Sequence, residues 1–233
     1  MMKAIGNQFV MGQSIDSALK RATDLQDTGY RFSYDMLGEA ARTEEDAKHY
    51  FNAYVAAIDA IGKEAKNATP AENPGISIKL SALHPRYDFT QRERVMQELP
   101  PLLLALAKQA KQYNIGLTVD AEEADRLDLS LDIFADVFLD PALNHWEGFG
   151  LAVQAYQKRA PFVLDWLAEL AKQANKRIMV RLVKGAYWDA ETIEANAHHF
   201  APPQFLNKIE SDIHFRQLAY LIMSNRYTQI TVA

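Results

Sequence analysis

Apolar residues recur along this chain in two alternating rhythms. Between Ser14 and Gly29, the residues Ile15, Ala18, Leu19, Ala22 and Leu25 fall at helical spacing, with Ser14 placed as an N-cap and Gly29 as a stop. Tyr30 to Leu37 reads as a short strand carrying Asp35 near its end. Thr43 to Ala65 returns to helix, and Thr43 followed three residues later by Asp46 is a capping-box pattern. Gly75-Ile-Ser-Ile-Lys-Leu80 is β-branched, too short for a helix and bounded by Pro74 and His84-Pro85, so it predicts a strand. The same rhythm then predicts helix from Thr90 to Tyr113, strand from Ile115 to Ala121, helix from Ala124 to Phe138 and strand from Gly148 to Tyr156. A helix from Pro161 to Ala174, opening on proline, precedes a strand from Arg177 to Gly185. After Tyr187 a less regular helical stretch is broken at Pro202-Pro203. A helix then runs to about Met223, and Thr228 to Ala233 reads as a sixth strand.

Strands separated by single helices imply right-handed crossovers and a parallel sheet, which leaves a barrel or a doubly wound sheet. No composition shift or low-complexity linker divides the chain. Charge adds an exclusion: 25 Lys plus Arg against 30 Asp plus Glu give a formal −5, which argues against a nucleic-acid backbone as partner. Cysteine is absent, which removes disulfides, thiolate metal sites and thiol nucleophiles together. No run reaches the roughly 18 apolar residues of a spanning helix, and Met1 to Val10 lacks the blocks of a secretory signal.

Candidate chemistry falls at the C-terminal ends of the predicted strands: Asp35, Lys79, Asp120 with Glu122, Gln154, then Arg181 and Lys184. A barrel enzyme builds its active site from those ends, whereas a doubly wound sheet concentrates ligands at one switch point. Lys79 lies in an apolar run, where a lone ammonium is too costly to bury, so an acidic partner is expected among Asp35, Asp120 and Glu122. Arg181-Leu-Val-Lys-Gly-Ala-Tyr-Trp-Asp189 surrounds a strand end with two cations, a glycine that permits close approach and two aromatic faces. Those features suit an anionic or electron-rich ligand.

Metal and nucleophile readings are weaker. Glu194, His198 and His199 have helical spacing but no HExxH pattern, and a solvated helix end explains them. His84 could serve as a base from its loop, and Asp120 to Glu123 contains a carboxylate set suited to acid/base work. No serine elbow, Walker motif or dinucleotide fingerprint is present.

Five segments, taken together and in order, carry a specific resemblance: Tyr34 to Ala41 (YDMLGEAA), Gly75 to Tyr87 (GISIKLSALHPRY), Thr118 to Glu123 (TVDAEE), Val153 to Arg159 (VQAYQKR) and Val180 to Asp189 (VRLVKGAYWD). The chain resembles the proline dehydrogenase domain of bacterial bifunctional proline utilisation A proteins. The resemblance implies a distorted (βα)8 TIM-type barrel that binds FAD, oxidises L-proline to Δ1-pyrroline-5-carboxylate and passes electrons to membrane quinone. It implies flavin contacts from Asp120, Gln154, Arg181, Lys184, Gly185, Ala186 and Trp188. Lys79, Leu182 and Tyr187 would line the proline pocket, Asp35 would support Lys79 and Glu39 would gate it, with Lys79, Arg181 and Tyr187 nearest the chemistry.

Residues 1–29 then form a leading helical segment, and 30–233 the N-terminal part of the barrel, about six strands of the family's eight. The family continues into a flavin-contacting Thr-His-Asn segment, two more strands and a helix bearing the arginine pair that clamps the proline carboxylate. An aldehyde dehydrogenase domain belongs to the longer proteins. The implied setting is cytoplasmic, peripheral on the inner face of the membrane, with no metal. An inactive fragment or assembly module is the alternative, because an open six-strand edge invites a partner. A third option keeps the barrel and makes Lys79 the Schiff-base lysine of an aldolase-like enzyme.

Overall fold

The structure is a computed structural model that describes residues 10–26, 28–36, 38, 40–224 and 228–230. Six strands, β1 (Ser33–Asp35), β2 (Gly75–Ile78), β3 (Gly116–Val119), β4 (Phe149–Gln154), β5 (Ile178–Val183) and β6 (Thr228–Ile230), pair side by side in chain order. Every pairing is parallel. A doubly wound sheet starts in its middle and reverses direction at a switch point, so an order without reversal selects the barrel. Among the described residues β1 and β6 pair with no further strand, and the six strands form an open arc of that barrel.

Helix α1 (Ile15–Gln26) precedes β1, and helices α2 (Glu44–Lys63), α3 (Leu80–Leu83), α4 (Arg92–Gln112), α5 (Leu127–Phe138), α6 (Ala160–Ala174), α7 (Trp188–His198) and α8 (Lys208–Ser224) join the strands. The expected capping box forms: Asp46 N–H donates to Thr43 Oγ1 at 3.1 Å, and Thr43 N–H donates to Asp46 Oδ2 at 3.0 Å. Pro161 stands in the first turn of α6, where its missing N–H is harmless. Ala18 and Ala22 of the leading helix are buried in the same core as the strands.

Strand alternation divides the sheet chemically. Ile76, Ile78, Leu117, Val119, Phe149, Leu151, Ile178 and Val180 are buried with helix residues such as Ile58, Leu103, Phe134 and Leu167. Of the intervening positions, Ser77, Thr118, Gly150 and Met179 share one register level, and the first three of these are small or polar. A Cβ at Gly150 would collide with the Met179 backbone carbonyl, so close strand contact there requires glycine.

Several boundaries differ from expectation: β1 covers only Ser33–Asp35 of the stretch expected from Tyr30, and a 3₁₀ turn over Phe89–Gln91 precedes α4, which starts at Arg92. Leu80 opens the short helix α3 instead of ending β2, because a turn there buries Leu80, Ala82 and Leu83 fully while Lys79 remains extended. Residues 124–126 form a 3₁₀ turn, and α5 starts only at Leu127. The expected strand residues Leu37 and 231–233 lie outside the described residues.

Candidate active site

Parallel pairing places the polar strand ends side by side. Ser77 is in register with Thr118 and Ala152 with Arg181, and the Asp120 N–H donates to Ile78 O at 2.9 Å, which carries the β2–β3 ladder beyond the strands. Lys79 and Asp120 therefore emerge as neighbours. Lys79 Nζ donates to Asp35 Oδ1 at 2.8 Å and to Asp120 Oδ2 at 3.0 Å. The other Asp120 oxygen accepts from Arg181, whose guanidinium also donates to Ser77 Oγ. Two cations and two carboxylates form one continuous cluster without net charge.

Burial is uneven across it: the side chains of Lys79, Asp120 and Arg181 are 15%, 9% and 13% exposed, while Asp35 is 51% exposed. Burial holds the Arg181 guanidinium below its ordinary value, with Asp35 acting in the opposite sense. The Lys79 N–H donates to the Tyr54 hydroxyl at 3.2 Å, and burial pushes that phenol up to about 12, so it stays protonated.

Glu122, the third acid considered for Lys79, is used elsewhere. Its Oε1 accepts from Ser81 N–H at 3.0 Å and its Oε2 pairs with Arg126 at 3.2 Å. Burial pushes its carboxyl upward, against these partners. The Glu122 carbonyl accepts from Gln154 Nε2, and Gln154 Oε1 accepts from Ala186 N–H, both at 2.9 Å. Gln154 thus braces the loop after β5 against the loop after β3.

Lys184, Gly185 and Ala186 are exposed in that loop, and Gly185 sits at φ +142°, a conformation that favours glycine. Its close neighbour is the Tyr156 ring, which a Cβ would strike. Lys184 Nζ bonds Asp212 at 2.6 Å, and with Lys208 it lowers the Asp212 carboxyl to about 2. Leu182 is buried in the apolar core, and half-buried Tyr187 caps α7. Trp188 is 41% exposed and donates from Nε1 to Phe205 O at 3.2 Å. Glu39 lies outside the described residues.

The loop histidine is spoken for. His84 is buried with Nε2 at 2.9 Å from Glu98 and Nδ1 accepting from Arg86 N–H, which pins the β2–α4 connection. Among the described residues no three His, Cys, Asp or Glu side chains are grouped to hold a metal ion. No described helix is long and apolar enough to cross a membrane.

Sequence reasoning passed over Ser77, Tyr54, Tyr156 and Glu191. Ser77 carried a signal, a lone hydroxyl between two isoleucines in a buried strand. Tyr54 carried none, since it sits on a helix face that reads as core.

The donor set fits a flat, polyfunctional ring. A half-buried guanidinium, a buried carboxamide, a run of exposed backbone opened by Gly185 and an exposed indole stand around one strand end. Such a group could lie over Arg181 and Gln154 and meet the backbone of residues 184–186.

A family model described as proline dehydrogenase matches residues 18–233. The bifunctional protein PutA of Rhizobium meliloti is 52% identical over 215 residues, covering 92% of this chain and 17% of that protein. Proline dehydrogenase 1 of Bacillus subtilis is 27% identical over 224 residues, 96% of this chain and 63% of its own length. Among solved structures, proline utilization A from Bradyrhizobium japonicum superposes with a TM-score of 0.89 at 48% identity, over 99% of this chain and 24% of that one. The Bdellovibrio bacteriovorus protein, inactivated by N-propargylglycine, gives 0.92 at 27% identity over 99% and 25%. This chain therefore spans about a sixth of the PutA length it matches.

Proposed function

The chain belongs to the proline dehydrogenase family, and from that premise we propose that its strand-end cluster takes part in FAD-dependent oxidation of L-proline to Δ1-pyrroline-5-carboxylate. The observation that carries the reading is the neutral Asp35–Lys79–Asp120–Arg181 cluster toward the C-terminal ends of β1, β2, β3 and β5, in which Asp35 reaches solvent and the other three are largely buried.

Proline oxidation removes a hydride from the ring carbon beside nitrogen and a proton from the nitrogen, leaving a C=N bond. FAD, when bound, supplies the acceptor for the two electrons. Gln154 and Arg181 would hold its ring system, with Asp120, Lys184, Gly185, Ala186 and Trp188 completing the contacts. The Arg181 charge is suited to stabilising negative charge that gathers there on reduction. Lys79, Leu182 and Tyr187 would line the proline pocket, with Asp35 orienting Lys79 and Glu39 gating. Both cluster cations are already matched by carboxylates, so the proline carboxylate needs cations from outside this set. The family resemblance assigns that role to an arginine pair on a later helix.

In the whole protein, residues 1–29 would lead into a barrel whose first part is 30–233, electrons would pass to membrane quinone and an aldehyde dehydrogenase domain would use the product. The setting proposed is cytoplasmic, with peripheral attachment to the membrane. Among the described residues the edges of β1 and β6 are open, which favours a second reading, in which this stretch alone is an inactive piece that functions only when the barrel is completed.

The test is the visible spectrum of the purified chain after incubation with FAD and desalting, followed by anaerobic L-proline. Retained flavin bands that bleach with proline support the full reading. Retention without bleaching supports the cofactor half and assigns substrate capture to the rest of the barrel. No retention refutes FAD binding by this chain.

A further inference from the structure

A second polar cluster lies behind the loop just described, and it centres on a residue pair with no assigned role. Glu191, in the first turn of α7, is 3% exposed, and among the described residues no cation forms a salt bridge with it. Its Oε1 accepts from Ala124 N–H in the loop after β3 at 3.0 Å and faces Gln157 Nε2 at 3.4 Å. Its Oε2 accepts from the Tyr156 hydroxyl in the loop after β4 at 2.7 Å. One carboxylate therefore ties together the loops that follow three successive strands.

Tyr156 extends the tie in three directions. Its N–H donates to Lys184 O at 2.8 Å, its carbonyl accepts from Phe205 N–H at 2.9 Å, and its ring fills the space where a Gly185 side chain would stand. Phe205 O in turn receives the Trp188 indole N–H, and Gln204 Nε2 donates to Trp188 O at 3.2 Å. The backbone of 184–188 is thus held from behind at Lys184, Gly185 and Trp188, while its front remains exposed.

We propose that Glu191 and Tyr156 are positioning residues that hold the 184–188 loop in its ligand-ready conformation, and that FAD affinity depends on this tie. The inference rests on the FAD reading above, through the flavin contacts assigned to that loop. Burying an ionisable carboxylate without a cation is unfavourable, and burial pushes the Glu191 carboxyl upward. A neutral apolar residue would pack there at less cost, so its donors in two other loops are the physical return for keeping it.

The experiment compares the unsubstituted chain with Glu191→Ala, Glu191→Gln and Tyr156→Phe by two readouts: amide hydrogen exchange without ligand, and FAD dissociation constants from flavin fluorescence quenching. Glu191→Ala strands the Ala124 N–H and the Tyr156 hydroxyl. It is expected to speed exchange on the order of tenfold in residues 123–126, 155–158 and 184–191 alone, and to weaken FAD by a similar factor. Glu191→Gln keeps an acceptor for Ala124 and offers an N–H to a rotated tyrosine hydroxyl, so both readouts should return close to the original. Tyr156→Phe keeps the ring against Gly185 and should fall between.

Exchange that is unchanged in both Glu191→Ala and Tyr156→Phe overturns the proposal, as does faster exchange without loss of FAD affinity. Faster exchange spread over the whole chain also overturns it, because that marks general destabilisation. If the unsubstituted chain binds no FAD, the proposed function fails, and the exchange pattern alone decides whether the tie exists.

Discussion

Replacing Asp120 by Asn should be among the most damaging single changes in the strand-end cluster, and the reason is its place between two cations. Asp120 is 9% exposed and receives both Lys79 and Arg181. Asn keeps the shape, turns an N–H₂ toward one of the donors and leaves the cluster with a net charge of +1. Removing one partner of a buried ion pair costs about 3–5 kcal/mol. Lys79 retains Asp35 and Arg181 retains Ser77, so the low end of that range, about 3 kcal/mol, is expected. For a chain of 233 residues this corresponds to a melting temperature lower by roughly 6–12 °C.

Asp35→Asn provides the control, because that carboxylate is 51% exposed and its pairing is screened, which limits its loss to about 1 kcal/mol or less. The double variant Asp120→Asn with Arg181→Met restores neutrality, leaving Lys79 to Asp35. It should therefore lose less than the two single variants together, by about 1.5–3 kcal/mol. Urea and thermal melts of the original chain and the four variants, Arg181→Met alone included, measure these terms. Equal losses for Asp120→Asn and Asp35→Asn, or strict additivity in the double variant, would refute the cluster as the source of the stability.

Three further outcomes follow from the same geometry. Tyr54→Phe leaves the Lys79 N–H without its acceptor in a buried site and should lower stability by about 1–3 kcal/mol, read from urea melts. Gly150→Ala forces a Cβ into the Met179 carbonyl and should destabilise by more than 1 kcal/mol, whereas a surface alanine such as Lys66→Ala should be within about 0.5 kcal/mol of the original. Glu122 has a raised folded-state pKa, so the stability contributed by its protonated form is present below about pH 4.3, the unfolded value, and is lost as pH rises through the folded value. Glu122→Gln should therefore gain relative to the original chain as melts are taken from pH 4 toward neutrality, and a difference that does not change with pH would count against a buried ionised Glu122.

The sequence by itself determined the order and type of nearly every element. Hydrophobic period is a local property, and so are the Thr43–Asp46 cap and the proline at the start of α6. It also placed Asp35, Lys79, Asp120, Gln154 and Arg181 at strand ends, because a parallel strand rich in β-branched residues leaves few other positions for charge. Leu80 escaped that logic, since a helical turn and a strand end bury an isolated leucine equally well.

Only the tertiary structure decided which of these groups meet. Asp35, Asp120 and Glu122 were equivalent candidates for Lys79. The register of β2 against β3 brought Asp120 beside the ammonium and sent Glu122 to Ser81 and Arg126. The choice between barrel and doubly wound sheet was likewise made by strand order, which alternation of strand and helix leaves open. Tyr156 and Glu191 read locally as a strand-end aromatic and a first-turn acid. They became partners because the first turn of α7 sits against the loops after β3 and β4, bringing together residues 35 positions apart. Local periodicity specifies which face of an element is buried, but partner identity depends on the packing of separate elements to within an ångström or two, and the chain encodes that only as a whole.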